Sequence, residues 1–211
     1  IEKDGVIHRY ASNIEIGGAF VLIELMKKTR SYRRFRQEPA PNMANLESLI
    51  DLARLAPSAA NRQPLKYILV RNQQVLPQVF ACLAWAGYLK DWPGPSPDEQ
   101  PTAYIIILSD LKKAANPGID IGLAAQTILL GAQELGFGGC LLAAIDRPRL
   151  RQALTIAEDL EIQLVVALGT PGEEVRLTTV ESDGDIRYWR DESDIHYVPK
   201  RSRNDLIERT L

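Results

Sequence analysis

Cysteine and histidine are scarce in this chain, two of each in 211 residues, and the scarcity removes several functions at the outset. Cys82 and Cys140 lie far apart and belong to no CxxC or Cys/His cluster, so neither a disulfide framework nor a zinc site is supported; a reducing, cytoplasmic setting is the expectation. His8 and His196 have no acid or nucleophile beside them in sequence, and acid–base work needs a positioned partner, so both read as structural. A basic excess is missing too. The formal net charge is -2, whereas a nucleic-acid-binding domain carries surplus Lys and Arg, so no nucleic-acid partner is expected. No apolar run approaches the roughly 18–20 residues that span a bilayer, which argues against a membrane partner. Residues 1–18 carry Glu2, Lys3, Asp4, Arg9 and Glu15 and lack the apolar stretch of a signal peptide. No GxGxxG opens a helix after a strand, which disfavours a Rossmann unit. No Ser/His/Asp triad or pair of carboxylates stands out.

What is present is ordinary globular material, 45% hydrophobic and 25% charged, enough for one domain over 19–211 behind a short arm at 1–18. Apolar spacing predicts a helix from about Ala19 to Thr29, with Phe20, Ile23 and Met26 on one face. Asn42 caps a second helix through Met43, Leu46, Leu49, Ile50 and Ala53, stopped by Pro57. Tyr67–Val70, Tyr104–Leu108 and Ile162–Leu168 read as strands. Further helices are predicted near Val75–Ala84 and from Pro148 to Leu154. The strongest helix, Asp120–Leu135, is so poor in charge that it should be buried nearly all round. Arg187–Trp189 and His196–Val198 are spaced to pair as a hairpin. The class is mixed α and β.

Chemistry concentrates in four segments. Lys27, Lys28, Arg30, Arg33, Arg34 and Arg36 form a basic run with no acid between Met26 and Gln37, an anion site on an acidic protein or else a solvated helix end. Ser31 adds a hydroxyl donor and Phe35 an anchor. Ala56-Pro57-Ser58-Ala59-Ala60-Asn61-Arg62-Gln63-Pro64 sets small residues between prolines, so a flat ligand can approach the backbone. Asn61 and Gln63 each carry a donor and an acceptor, suited to the edge of a uracil-like ring; the same residues also suit a plain turn. Gly136, Gly138 and Gly139 end the long helix and offer backbone N–H groups beside the apolar Cys140-Leu141-Leu142-Ala143-Ala144. A second basic knot, Pro199-Lys200-Arg201-Ser202-Arg203, closes the chain. Apart from these, Asp91–Pro101 is a proline-stiffened loop carrying Trp92, read either as a lid that stacks on a flat substrate or as a surface connection.

In order and spacing, these segments together with Asp120-x-Gly122-x-x-x-Gln126 resemble the nitroreductase family, over roughly Phe20 to Arg203. Tyr188-Trp189-Arg190 and His196-Tyr197-Val198-Pro199 are similar to a branch of small members. The resemblance implies an α+β fold, a three-layer α-β-α sandwich with a mixed, mostly antiparallel sheet flanked by helices, assembled as an intertwined homodimer through the Asp120–Leu135 helix. It implies FMN at the dimer interface. Arg30, Ser31 and Arg33 would hold the phosphate, ribityl and pyrimidine side, with Pro57, Ser58, Ala59 and Asn61 of the partner subunit and Gln63 alongside. Leu141, Leu142, Ala143 and Ala144 would line the dimethylbenzene and N5 side, and Lys200 and Arg201 would help bind the phosphate; the tail spacing leaves Arg201 and Arg203 interchangeable there. Two positions depart from the family pattern. Thr29 replaces the first of two arginines, and Ala144 stands where glycine is common. The implied activity is hydride transfer from NAD(P)H through FMN to an electron-poor small molecule such as a nitroaromatic or quinone. Flavin fragmentation, reductive dehalogenation and non-catalytic FMN binding are the alternatives.

Overall fold

The computed structural model describes residues 21–114, 116–181 and 183–211. The arm expected at 1–18, His8 and Phe20 lie outside the described residues. Six α-helices are described, α1 (Val21–Lys28), α2 (Met43–Ala53), α3 (Leu76–Phe80), α4 (Gly118–Glu134), α5 (Arg147–Leu154) and α6 (Arg203–Leu206), with 3-10 turns at Ala59–Asn61 and Pro97–Glu99. Eight strands accompany them: β1 (Phe35–Arg36), β2 (Leu65–Val70), β3 (Ala103–Asp110), β4 (Gly138–Leu142), β5 (Leu160–Pro171), β6 (Val175–Val180), β7 (Trp189–Arg190) and β8 (His196–Arg201).

The expected single mixed sheet is divided in two. The larger sheet is antiparallel throughout: β3 pairs with β2 on one side and β5 on the other, and β5 also pairs with β1 and β4. The mixed sheet is small, with β8 parallel to β6 and antiparallel to β7. The hairpin expected near 187–198 is therefore present, as Trp189↔Tyr197 and Arg190↔His196. Strand β6 carried too weak an alternation to be read from sequence.

Strand β3 shows why the large sheet is covered on both faces. Successive side chains of a strand point to opposite sides. Tyr104, Ile106 and Leu108 enter one apolar cluster with Leu76 and Val79 of α3 and Leu150 of α5. Ala103, Ile105 and Ile107 enter the other, with Leu46 and Leu49 of α2 and Ala124, Ala125 and Ile128 of α4. Full burial of each such side chain contributes about 1.5–3 kcal/mol. The cap of α2 is reciprocal: Asn42 Oδ1 accepts from the Asn45 N–H and Asn45 Oδ1 from the Asn42 N–H, both at 2.9 Å. Asp146 caps α5, accepting from the Arg149 N–H at 3.1 Å.

Two predicted helices change. The one placed near Val75–Ala84 stops at Phe80, because the next residues spend their backbone on the segment after β4: the Ala84 N–H donates to the Ala144 carbonyl at 3.0 Å and Cys82 O accepts from Asp146 at 2.8 Å. Within a single chain helix α4 is not buried all round, and burial of its open face awaits the expected homodimer. Its inner face packs on α2 and the sheet, while Ile119 stands 71% exposed and Leu123 38% exposed on the opposite face.

Candidate functional site

The basic run is split by its own backbone. After α1 the chain extends: Ser31 bridges to Gly139 of β4 and the Tyr32 N–H donates to the Gly139 carbonyl at 3.0 Å. Neighbouring side chains of this extended stretch then diverge. Arg33 turns inward and is buried, whereas Arg34 turns away to pair with Asp194 and lie 5.7 Å from the Trp92 ring centroid. From the far end of the chain, alternation along β8 sends His196, Val198 and Lys200 to one side. Together with Arg30, Ser31, Arg33 and Leu141, these residues line a cavity of about 490 Å³, a size that suits a small organic ligand. Gln126 and Leu129 of α4 and Tyr188 complete its wall. Among the described lining residues are three cations, Arg30, Arg33 and Lys200, and no carboxylate.

Behind the cavity lies a buried ionic layer. Glu173 accepts from the backbone N–H groups of Arg33 and Arg34 and pairs with Arg190 at 2.7 Å. Arg33 Nη1 meets His196 Nε2 at 3.2 Å, and its guanidinium sits 4.5 Å from the Tyr188 ring centroid. Burial, then the positive charges of Arg33 and Arg190, hold the His196 imidazole down at about 4, with Glu173 pulling the other way. The Cys140 thiol nearby is pushed up by burial to about 11, which leaves it protonated and unreactive at neutral pH. Arg30 donates through Nη2 to the Met26 carbonyl at 2.6 Å, while its Nε is buried with no partner among the described residues. A buried donor without an acceptor is costly.

The Ala-Pro-Ser segment forms a separate wall. Ala60, Asn61 and Gln63 have φ of 51°, 53° and 48°, left-handed values that non-glycine residues adopt only under constraint. The constraints are visible. Ser58 Oγ accepts from the Gln63 N–H at 2.9 Å, and buried Asp120 accepts from the Ala59 N–H at 3.3 Å. Gln63 Nε2 donates to Asn61 Oδ1 at 3.0 Å. That bond uses one donor and one acceptor, leaving the Asn61 amide N–H₂ and Gln63 Oε1 for a ligand. Pro57, Ser58 and Gln63 line a cavity of about 240 Å³ with Tyr67 and Asp120. Within one chain this wall and the Arg30–Lys200 cavity are distinct, lying against different turns of α4: Asp120 and Ala124 face one, Gln126 and Leu129 the other.

Of the residues singled out from sequence, Arg30, Ser31, Arg33, Leu141 and Lys200 share the cavity. Ala143 and Ala144 are exposed just past β4. Strand alternation turns the Leu142 side chain into the core. The same alternation on β8 points Arg201 away from Lys200, where it pairs with Asp205. Arg203 enters α6 and is exposed. Trp92 does not line the cavity; it packs against the core with Arg190 stacked 4.4 Å from its ring centroid. The sequence reading missed His196, Tyr188 and Gln126 as cavity residues. The His196-x-Val198-x-Lys200 spacing was the available signal, because on a strand it sets all three on one face.

The nitroreductase family model matches residues 26–170. A protein of Methanothermobacter thermautotrophicus whose name pairs NADH dehydrogenase with NAD(P)H nitroreductase is 28% identical over 159 residues, 72% of this chain and 78% of that one. An iodotyrosine deiodinase of Thermotoga neapolitana is 23% identical over 168 residues, 72% of this chain and 90% of that one. Among solved structures, an FMN-dependent nitroreductase from Clostridium difficile R20291 superposes with a TM-score of 0.61 at 23% identity, covering 72% of this chain and 88% of that one, a likeness of fold. Among the described residues no helix is long and apolar enough to cross a membrane.

Proposed function

Because the chain belongs to the nitroreductase family, we propose that it is an oxidoreductase that binds FMN in the Arg30–Lys200 cavity and uses NAD(P)H to reduce an electron-poor acceptor such as a nitroaromatic or a quinone. The observation that carries this reading is the cavity itself: three cations and no carboxylate among its described lining residues. Arg30 and Lys200 suit the phosphate, Ser31 the ribityl chain and Arg33 the pyrimidine edge. Leu141 and Leu129 supply the apolar wall for the rest of the ring.

The second wall comes from a partner subunit in this reading. Helices α1 and α4 leave Leu22 and Ile119 largely exposed, an apolar face of the kind that marks an interface. A homodimer built through it would bring one chain's Pro57–Gln63 segment toward its partner's cationic cavity. When bound, FMN supplies two-electron redox chemistry between NAD(P)H and the acceptor. The chain's part is to bind, orient and exclude water. Arg33 holds a positive charge where the reduced ring is more negative, and stabilises that form.

The test is steady-state NAD(P)H oxidation by FMN-loaded protein against a panel of nitroaromatics and quinones. Acceptor-dependent turnover is expected. FMN-loaded protein that never consumes NAD(P)H would be a flavin-binding protein without this activity. A second reading, reductive dehalogenation, draws on the Thermotoga neapolitana relative named iodotyrosine deiodinase. Halide release from halogenated phenols, without nitroaromatic reduction, would favour it.

A further inference from the structure

We propose that His196 is a positioning residue fixed in one tautomer: its Nε2 lone pair holds the Arg33 guanidinium toward the cavity, and its proton resides on Nδ1. The family match ends at residue 170, so the assignment rests on this chain's own geometry.

A guanidinium has donors only. With Arg33 Nη1 at 3.2 Å from His196 Nε2, Nε2 must be the acceptor. A doubly protonated ring would set N–H against N–H. The neutral ring therefore carries its hydrogen on Nδ1, which is buried without a partner among the described residues. The strand that carries the ring is anchored as well: the His196 backbone N–H donates to the Glu174 carbonyl at 2.9 Å, and His196 is in register with Val175 of β6. On its other side Arg33 is held 4.5 Å over Tyr188, whose ring in turn packs 5.2 Å from that of His196. The guanidinium thus rests on a ring lone pair and an aromatic face, with the Cys140 thiol beside it.

The choice of partner has a consequence. A carboxylate would hold Arg33 equally well and cancel most of its charge. Glu173, whose charge acts on the His196 ring, is occupied by Arg190 and by the backbone N–H groups of Arg33 and Arg34. A neutral imidazole orients the cation and leaves its charge for whatever occupies the cavity. The charged groups around the ring keep it neutral. Burial is the largest single cause, Arg33 and Arg190 also oppose its protonation, and Glu173 favours it. Arg30 and Lys200 line the same cavity and add positive charge. The lone pair is accordingly available throughout the neutral range, as a fixed support.

The effect on flavin rests on the function proposed above; the tautomer does not, and the experiment separates them. Two-bond nitrogen–proton correlation spectra of the ¹⁵N-labelled, flavin-stripped protein report the tautomer directly, with a His8→Gln variant assigning the second ring. The Nδ1–H form is expected. In Arg33→Ala the preference should relax and the ring should titrate closer to 6.5. An Nε2–H tautomer, or a wild-type ring titrating near 6.5, overturns the proposal. The second measurement is flavin affinity and reduction potential in His196→Gln, whose amide oxygen reaches the Nε2 position, and in His196→Leu, which has no acceptor. Gln should stay close to wild type. Leu should weaken FMN binding about tenfold and lower the potential, and should add nothing in an Arg33→Ala background. A Leu effect that persists in full without Arg33 means His196 acts by itself and contradicts the positioning role. If His196→Leu does not fold, Asn takes its place: its shorter amide reaches only the Nδ1 position and should behave as Leu does. Protein that binds no flavin defeats the function reading alone, and the tautomer spectrum then decides this one.

Discussion

Arg33 and Glu173 are the two residues on which the site's electrostatics turn. Arg33 is buried, faces the cavity, and gives its backbone N–H rather than its guanidinium to Glu173. Arg33→Ala should therefore lower both FMN affinity and the flavin reduction potential, at a cost of roughly 1–3 kcal/mol for a charge-assisted contact. Potentiometric titration of the variant checks this; a fall in affinity with an unchanged potential would make Arg33 a phosphate contact instead. Glu173 is 2% exposed in its side chain and Arg190 9%. Removing one member of a buried pair leaves a desolvated charge, so Glu173→Ala should cost about 3–5 kcal/mol of stability. Urea unfolding measures it, and a loss below about 1 kcal/mol, the range of a surface pair, would show that water reaches Arg190. At this scale the sequence was legible where charge density made a signal. Arg30, Arg33 and Lys200 were found because cations clustered on an acidic chain stand out. His196 was passed over because its partner, Arg33, is 163 positions away, and no local pattern links them. The direction of Arg201 was not legible, because it depends on strand parity and the boundary of β8 could not be read from the sequence.

Elements were legible where one local rule governed them. Helix α2 begins at its Asn42 cap, as expected, and the buried strands β3 and β5 carry unbroken apolar runs. Rules failed where tertiary contacts overrode propensity, as at the end of α3, or where the residues were small, as in β4. There the glycines read as a helix stop, although Gly138 and Gly139 are laddered to β5. A Cβ on Gly139 would meet the Ala167 carbonyl oxygen and Leu129 Cδ2, both at 2.7 Å, and backbone cannot yield cheaply. Gly139→Ala should thus destabilise by about 1–3 kcal/mol, as overpacking does, and should also disturb flavin binding, since Ser31 bridges to that residue. A variant with wild-type melting and wild-type FMN affinity would contradict the close approach. The Trp92 loop makes a different case. Its composition suited a lid, but the ring lies under Arg190 and against the core. Trp92→Ala should therefore cost stability and leave KM for acceptor and NAD(P)H nearly unchanged. A selective change in KM would restore the loop to the substrate side.

At the scale of the whole molecule, His196 couples the site to folding. Its ring titrates at about 4 in the folded chain against the usual 6.5. As pH falls the unfolded chain takes up this proton first, so the contribution is complete above 6.5, is lost progressively towards about 4, and is constant below. Urea midpoints across that window should drop more steeply for wild type than for His196→Gln; parallel curves would contradict a buried neutral imidazole. Assembly belongs to this scale too. The candidate residues of one chain line two distinct cavities, which a single subunit does not join. Light scattering should accordingly give a dimer mass, and an FMN-loaded monomer would refute the shared-site arrangement. The central claim is that the Arg30–Lys200 cavity holds FMN through its phosphate and ring. Flavin fluorescence during titration of stripped protein tests it most directly. The prediction is saturable quenching by FMN, with riboflavin, which lacks the phosphate, binding far more weakly, and with Lys200→Ala narrowing that difference. No quenching, or equal binding of FMN and riboflavin, would contradict it.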